Sequence, residues 1–489
     1  AQYLNIKIGT DDDEPSIMVN PMMPEQIVAG TNKASIYTSQ DTGRTWFEQL
    51  MPNPSNFSGD PCIIVDTQQV FYHFSLGGVY NTTNWLESLV CYRSYDHGYT
   101  WPDSTEIGSN GIKDQDKEWA VVDRRNNKIY MTWTEFDAYG SFNSTDSSRI
   151  MFSSSSDQAH TWSTPKQLNL VSGDCVDDDN TTEGAVPTVG PNGEIYVAWA
   201  DINGIKFDRS FDEGNTWVQQ DIAVASQPNG WNYNIPGILR ANGLPIVDCD
   251  KSNSAYNGRV YVNWSDQLNG TSDTDIWLTY SDDSGTTWMP RIRVNNDIPG
   301  KHQFFSWMTI DQSTGYVYVV FYDRRNYLNH KTDVYLAKSV DGGNTFSNEL
   351  ISSSGFMPNP SIFFGDYTNI SAVNNIVRPI WCRLEGNVKS VWTALIDYNA
   401  PAGIVNEQLD RMIQLYPNPT QGPVTLSYLG GEALTIEIVD FTGRTMHHFS
   451  LPQDQSILEF NIGSFVPGVY VYRISSGGQL LKQGKLSKL

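Results

Sequence analysis

The sequence predicts an all-β protein: a seven-bladed β-propeller over about residues 1–400, a linker at 401–410 and a β-sandwich at 411–489. Three observations carry this. A short segment recurs six times, at a spacing that suits one four-stranded sheet per unit. The 15 Trp, 25 Tyr, 39 Gly and 24 Pro accompany almost no helical periodicity, as in a turn-rich β protein. Composition then changes near residue 400.

The recurring segment is Ser39-Gln-Asp41-Thr-Gly43-Arg-Thr45-Trp46. It returns with Asp96, with Asp157 (where Ala159 replaces the glycine), with Asp212, with Asp283 and, ending in Phe346, with Asp341. Its pattern is that of a hairpin turn. The Asp carboxylate accepts from the turn's own N–H groups, the glycine supplies positive φ and the Trp tucks under the next strand. The other strands of each unit are read backwards from it, for example Ile129–Trp133, Ile195–Trp199 and Val260–Trp264 as second strands. A seventh unit has three strands, within 367–372, 376–381 and 388–392, and no such turn. Tyr3–Ile8 is the free strand that can complete it, which removes two exposed sheet edges.

The six turns resemble the Asp box of sialidase-like β-propellers. The resemblance implies that Asp41, Asp96, Asp157, Asp212, Asp283 and Asp341 are structural, on the face opposite the ligand site. It does not extend to sialidase chemistry. That family grips its substrate's carboxylate with three arginines, and the strand Glu14–Val19 has none where the first is expected. Arg324 and Arg325 are the arginines left for the mouth, and Tyr367 beside Asp366 is the Tyr–carboxylate pair placed there.

From Arg411 onward there are 6 basic and 5 acidic residues, net +1, so the first 410 carry −24 of a chain whose net charge is −23. The segments Leu415-Tyr-Pro-Asn-Pro-Thr420, Asp440-Phe-Thr-Gly443-Arg444 and Gly468-Val-Tyr-Val-Tyr-Arg473, with Lys482 and Lys485, resemble the C-terminal sorting domain of the type IX secretion system of Bacteroidetes. About seven short strands suit an immunoglobulin-like sandwich. The resemblance implies a partner in the type IX machinery, a signal peptide already removed, and a secreted or outer-surface location.

Charge excludes a nucleic-acid partner, because binding duplex phosphate needs a concentrated cationic face. No apolar run reaches the ~18–20 residues of a membrane-spanning helix. Cys62, Cys91, Cys175, Cys249 and Cys382 show no metal-type spacing, and their odd number argues against a disulfide framework.

In a propeller the starts of the innermost strands converge on one mouth. Those positions read Glu14, Asp60, Asp116 and Glu118, Glu183, His302 and Gln303, and Asp366. The second-strand ends add Glu135, Asp201, Asp266 and Asp323, followed by Arg324. A carboxylate funnel is the expectation. Such crowded acids are protonated, hydrogen-bonded or bound to a cation. Three readings stay open: binding of a glycan or surface partner through Glu14, Asp60, Asp116, Asp323 and Arg324; exo-acting glycoside hydrolysis or lysis by Asp366, Tyr367, Glu183 or Glu118; and carboxylates that merely bond neighbouring turns. Glu14, Asp60 and Asp366 are candidates for Ca²⁺, which would then stabilise the fold. Asp11–Asp13 and Asp177–Asp179 lack the spacing of a calcium loop and read as solvated loop charge.

Overall fold

The computed structural model describes residues 3–51, 59–78, 86–399, 413–428, 432–440, 444–453, 455–477 and 479–489. The predicted linker at 401–410 and the centre of the Asp440–Arg444 motif lie outside them. The chain divides into two compact units, Ala1–Asp397 and Tyr398–Leu489. Every regular element among the described residues is a strand.

The first unit holds seven four-stranded antiparallel sheets. The third shows the common plan. Asp114–Asp123 is innermost, followed by Lys128–Phe136, Ser148–Ser155 and the outer Lys166–Gln167, each pairing with the one before. The innermost strands of the seven sheets are Ser16–Val19, Cys62–Val65, Asp114–Asp123, Glu183–Val189, Ile246–Cys249, Gln303–Asp311 and Asn369–Val373. Each packs against the next, and the last packs against the first, so the sheets form a closed ring.

Sheets in such a ring are covered on both faces, so their middle strands are apolar throughout rather than alternating. Ile195–Asp201 and Val260–Asp266 are buried at every residue. Trp133, Trp199, Trp264 and Trp381 recur as fully buried side chains on the second strands of four sheets. The seventh sheet is completed by Leu4–Thr10, which pairs antiparallel with Val388–Asp397 from Leu4↔Leu395 to Thr10↔Ser390. All five cysteines are buried free thiols, so apolar packing and strand ladders hold the ring.

The six Asp turns share one geometry. At the first, the Asp41 carboxylate accepts from the N–H groups of Arg44 and Thr45 (both 2.9 Å), from the Thr45 hydroxyl (2.7 Å) and from the Ser39 hydroxyl (2.9 Å). The Trp46 indole donates to the carbonyl of Gly43, which lies at φ 85°. At the fourth and fifth, bonds from the backbone and hydroxyl of Thr216 and Thr287 hold Asp212 and Asp283 at a pKa of about 2. Ala159 takes the glycine's left-handed conformation at φ 62°, and its carbonyl accepts from Arg93 of the preceding sheet (2.8 Å). A donor from the preceding sheet reaches the carbonyls of every other turn too: Arg378 to Thr42, Thr38 to Gly98, Lys166 to Gly214, Arg209 to Ser284 and Arg259 to Gly342. Each turn therefore fastens its own hairpin and also one sheet to the next. Asp41→Ala strands two N–H groups at a half-buried site, and the expected loss is about 1–2 kcal/mol of stability, measurable by chemical unfolding. A variant as stable as the parent would remove the fastening role.

The second unit has a three-stranded sheet, Ile413–Tyr416, Pro423–Tyr428 and Ile457–Asn461, and a four-stranded one, Thr445–Leu451, Leu434–Val439, Gly468–Ser476 and Gln479–Lys488. Val424, Leu426, Ile436, Ile438, Phe460 and Ile474 belong to its apolar core.

Candidate functional site

The mouth of the ring is made by a backbone device that recurs from sheet to sheet. Glu14 (φ 46°), Asp60 (46°), Lys117 (51°), Gly184 (75°) and Phe305 (50°) all adopt the left-handed conformation where an inner strand begins. In the third, fourth and sixth sheets the strand ladder is broken by a bulge at that point, between Asp116 and Trp119, Glu183 and Val186, and Phe304 and Trp307. The bulge sets which residue faces the channel. It is Lys117, not Asp116 or Glu118 alone, that shares the position of Glu14 and Asp60. Phe305 holds the place expected for His302 and Gln303. His302 instead meets the Thr274 hydroxyl (2.9 Å), and Gln303 bonds Asn295 and Asp297.

Above this level lies a cavity of ≈ 1060 Å³ whose wall includes Asp13, Glu14, Asp60, Asp116, Lys117, Tyr139, Arg240 and Phe363. Trp119, Trp307 and Tyr367 close the channel beneath it, with ring centroids 4.2, 5.6 and 5.9 Å apart.

The centre of the mouth is an ion-pair network rather than an open ring of acids. Asp366 accepts from Arg240 Nε (2.9 Å), again from Arg240 Nη2, and from Lys117 Nζ (3.4 Å). Arg240 Nη1 donates to Asp177 (3.0 Å), which also accepts from the Tyr139 hydroxyl (2.6 Å). Glu14 accepts from the Asp366 N–H (3.0 Å), and the Lys117 ammonium lies 3.7 Å from Glu183. Arg240 also sits over the Phe363 ring at 5.1 Å.

This network sorts the acids. Burial would lift Asp366, but Arg240 and then Lys117 hold it below the usual carboxylate range. Burial, reinforced by Asp60 and Asp366, raises Glu14 well above that range. Glu118 and Glu183 are raised in the same way, burial being the main cause. Both are fully buried, and neither carboxylate has a hydrogen-bond partner among the described residues. Asp116 is pushed up to about 8, by burial first, with Lys117 opposing and Asp60 adding to it.

The folded chain therefore keeps a proton on Asp116 between about pH 4 and pH 8 that the unfolded chain has already lost. Its contribution to stability is full below about pH 4 and disappears as pH rises through about 8. Asp116→Asn keeps an acceptor for the Lys117 N–H (2.9 Å) but cannot ionise. Its melting temperature should match the parent at pH 4 and exceed it at pH 8. An equal difference at both values would exclude this ionisation as the cause.

Several sequence-predicted residues lie away from the cavity. Asp323 is fully buried and held by Arg325 (2.7 Å) and Gln303 (3.2 Å). Arg324 is buried, donating to the Pro236 carbonyl (2.6 Å) and the Thr332 hydroxyl (3.1 Å). Glu135 pairs with Arg149 (2.7 Å) and Asp266 with Arg291 (2.8 Å). Of the three acids that the sequence offers to calcium, Asp366 is paired with Lys117 and Arg240, while Glu14 is raised by burial and by its neighbours Asp60 and Asp366. Among the described residues, no group of three His, Cys, Asp or Glu side chains could hold a metal ion.

Of the acidic triplets, Asp11 is exposed and paired at the surface with Lys33 (2.7 Å), as loop charge would be, whereas Asp12 and Asp13 are buried. Asp12 accepts from Tyr37 (2.5 Å), Asp13 pairs with Lys389, and Asp179 accepts from the Asn232 N–H (2.7 Å). Sequence reasoning missed Lys117, Arg240 and Tyr139. Lys117 carried a signal, as the one basic residue in Asp116-Lys-Glu-Trp119; Arg240 lies on the aperiodic connection 226–245 and carried none.

Residues 414–487 match the family described as secretion system C-terminal sorting domain. The tail is a type IX sorting domain. It marks the chain as secreted or placed on the outer cell surface, and implies contact with the secretion machinery. No curated protein matches the chain in sequence. Among solved structures, it is similar to the NanB sialidase of Streptococcus pneumoniae (9% identity, 76% of this chain and 84% of that one, TM-score 0.48). It is also similar to an ulvan lyase of polysaccharide lyase family PL25 (11%, 81% and 96%, 0.49) and to a protein of unknown function from Dyadobacter fermentans (11%, 80% and 97%, 0.45). The likeness is one of fold.

Proposed function

We propose that the chain is an exported seven-bladed β-propeller that binds glycans in the cavity at its mouth. The sorting tail, in this reading, folds as an immunoglobulin-like sandwich and engages the type IX machinery. The observation that carries the binding role is the wall of the ≈ 1060 Å³ cavity. It offers the amide side chains of Asn32, Asn232 and Asn234, the Tyr139 hydroxyl and the half-buried Phe363 ring. Sugars present hydroxyl groups that both donate and accept, together with an apolar ring face, and this wall supplies counterparts to each. An array of immobilised glycans tests the role. The chain should retain at least one glycan class, and Phe363→Ala should weaken that binding by roughly tenfold. Retention of none, or undiminished binding by the variant, would refute it.

A glycosidase or lyase is favoured by one observation. In a single mouth Asp116 keeps its proton up to about 8 while Asp366 is held ionised, a division that suits acid–base work. The Tyr367 hydroxyl donates to Asp60 (3.4 Å), whereas Glu118 and Glu183 are fully buried. Turnover of chromogenic glycosides, lost in Asp116→Asn, would convert the binder into an enzyme.

A further inference from the structure

We propose that the glycan taken by this mouth is uncharged, an inference that rests on the glycan-binding role above. Four cationic side chains line the cavity: Lys33, Lys117, Arg240 and Lys389. Each already has a carboxylate partner within the fold. Lys33 pairs with Asp11 (2.7 Å), Lys389 with Asp13, and Lys117 with Asp366 (3.4 Å).

Arg240 decides the matter, because a guanidinium recognises a carboxylate through a two-pronged edge. Its Nε–Nη2 edge is closed by Asp366, and Nη1 is given to Asp177 (3.0 Å). A uronate, sialate or sulfate entering here would have to displace an internal carboxylate from its cation. It would also meet Asp60 in a unit that carries nearly all of the chain's −23 charge. A neutral sugar needs no exchange of ion pairs. Its hydroxyls can bond the outer edges of the paired groups and the amides beside them. Ring closure and charge pairing thus leave a site whose polar groups are accessible but whose charges are internally matched.

The test uses the full chain and matched probes: uronate-bearing oligosaccharides and the same oligosaccharides after carboxyl reduction, printed beside sialylated, sulfated and amino-sugar glycans. At least tenfold tighter retention of neutral glycans than of their charged counterparts is the expected result. Equal or tighter retention of any charged class overturns the inference while leaving glycan binding intact. Retention of nothing removes the binding role itself.

Asp177→Asn supplies an independent arm. It takes away the charge that holds Arg240 Nη1, leaving only an amide oxygen there, and should raise retention of uronate glycans by about tenfold over the parent. A folded variant, verified by melting, that shows no gain counts against the proposal. If the variant fails to fold, the parent's comparison of matched probes decides alone.

Discussion

Lys117→Met is expected to destabilise the first unit by about 3–5 kcal/mol at pH 7. The side chain is 11% exposed, and its ammonium sits among Asp366, Glu183, Asp60 and Asp116. Burial alone would lower its pKa, yet the surrounding carboxylates hold it well above the ordinary lysine value. Replacing it by an apolar side chain of similar length keeps the volume and removes the charge. Asp366 would keep Arg240, but Glu183 would lose the Lys117 ammonium, which lies 3.7 Å away, and keep only the weaker influence of Arg240. Because protonation relieves the same repulsion, the deficit should shrink as pH falls, as Asp366, which Lys117 helps to hold ionised, takes up a proton more readily. Chemical unfolding of parent and variant at pH 5 and pH 8 measures both effects. A deficit that is small, or that grows on acidification, would show that Lys117 does not organise the mouth.

Removal of residues 411–489 is expected to abolish export while leaving the ring folded. The first unit is compact by itself, and its last sheet is closed by Leu4–Thr10, not by anything from the tail. The sorting family covers 414–487, so the deletion takes the whole of it. In a host with a type IX system the truncated protein should accumulate in the periplasm, with surface and medium levels falling to background. Periplasmic material should still melt cooperatively. Unchanged surface levels would separate this tail from sorting, and loss of cooperative melting would show that the ring depends on it.

The parts of the fold that could be read from sequence are those written locally. Each Asp turn is a complete hydrogen-bonded motif within eight residues, so Asp41, Asp96, Asp157, Asp212, Asp283 and Asp341 identify themselves and set the period. The closing strand could be inferred by deficit, since the seventh unit lacked an outer strand and Leu4–Thr10 lacked a sheet. The mouth was legible only as a surplus of acid. Asp116-Lys-Glu puts three charged residues in a row, and the bulge that interrupts strand alternation there decides which of them faces the channel. Period-two reasoning has no access to that choice. Arg240 is harder still, because its partner Asp366 is 126 residues away and no local pattern joins them.

The strand Leu4–Thr10 has a mechanical consequence. By pairing with Val388–Asp397 it turns the last strand of the ring from an edge into an interior strand, flanked also by Ile376–Glu385. A chain held at a cell surface by its C-terminal side and loaded through a ligand at its mouth would transmit that load into Val388–Asp397. A pull along this strand shears two ladders together, so their rungs share the force instead of opening in turn. The residues that close the circle at its beginning would thus also set how hard its end can be pulled.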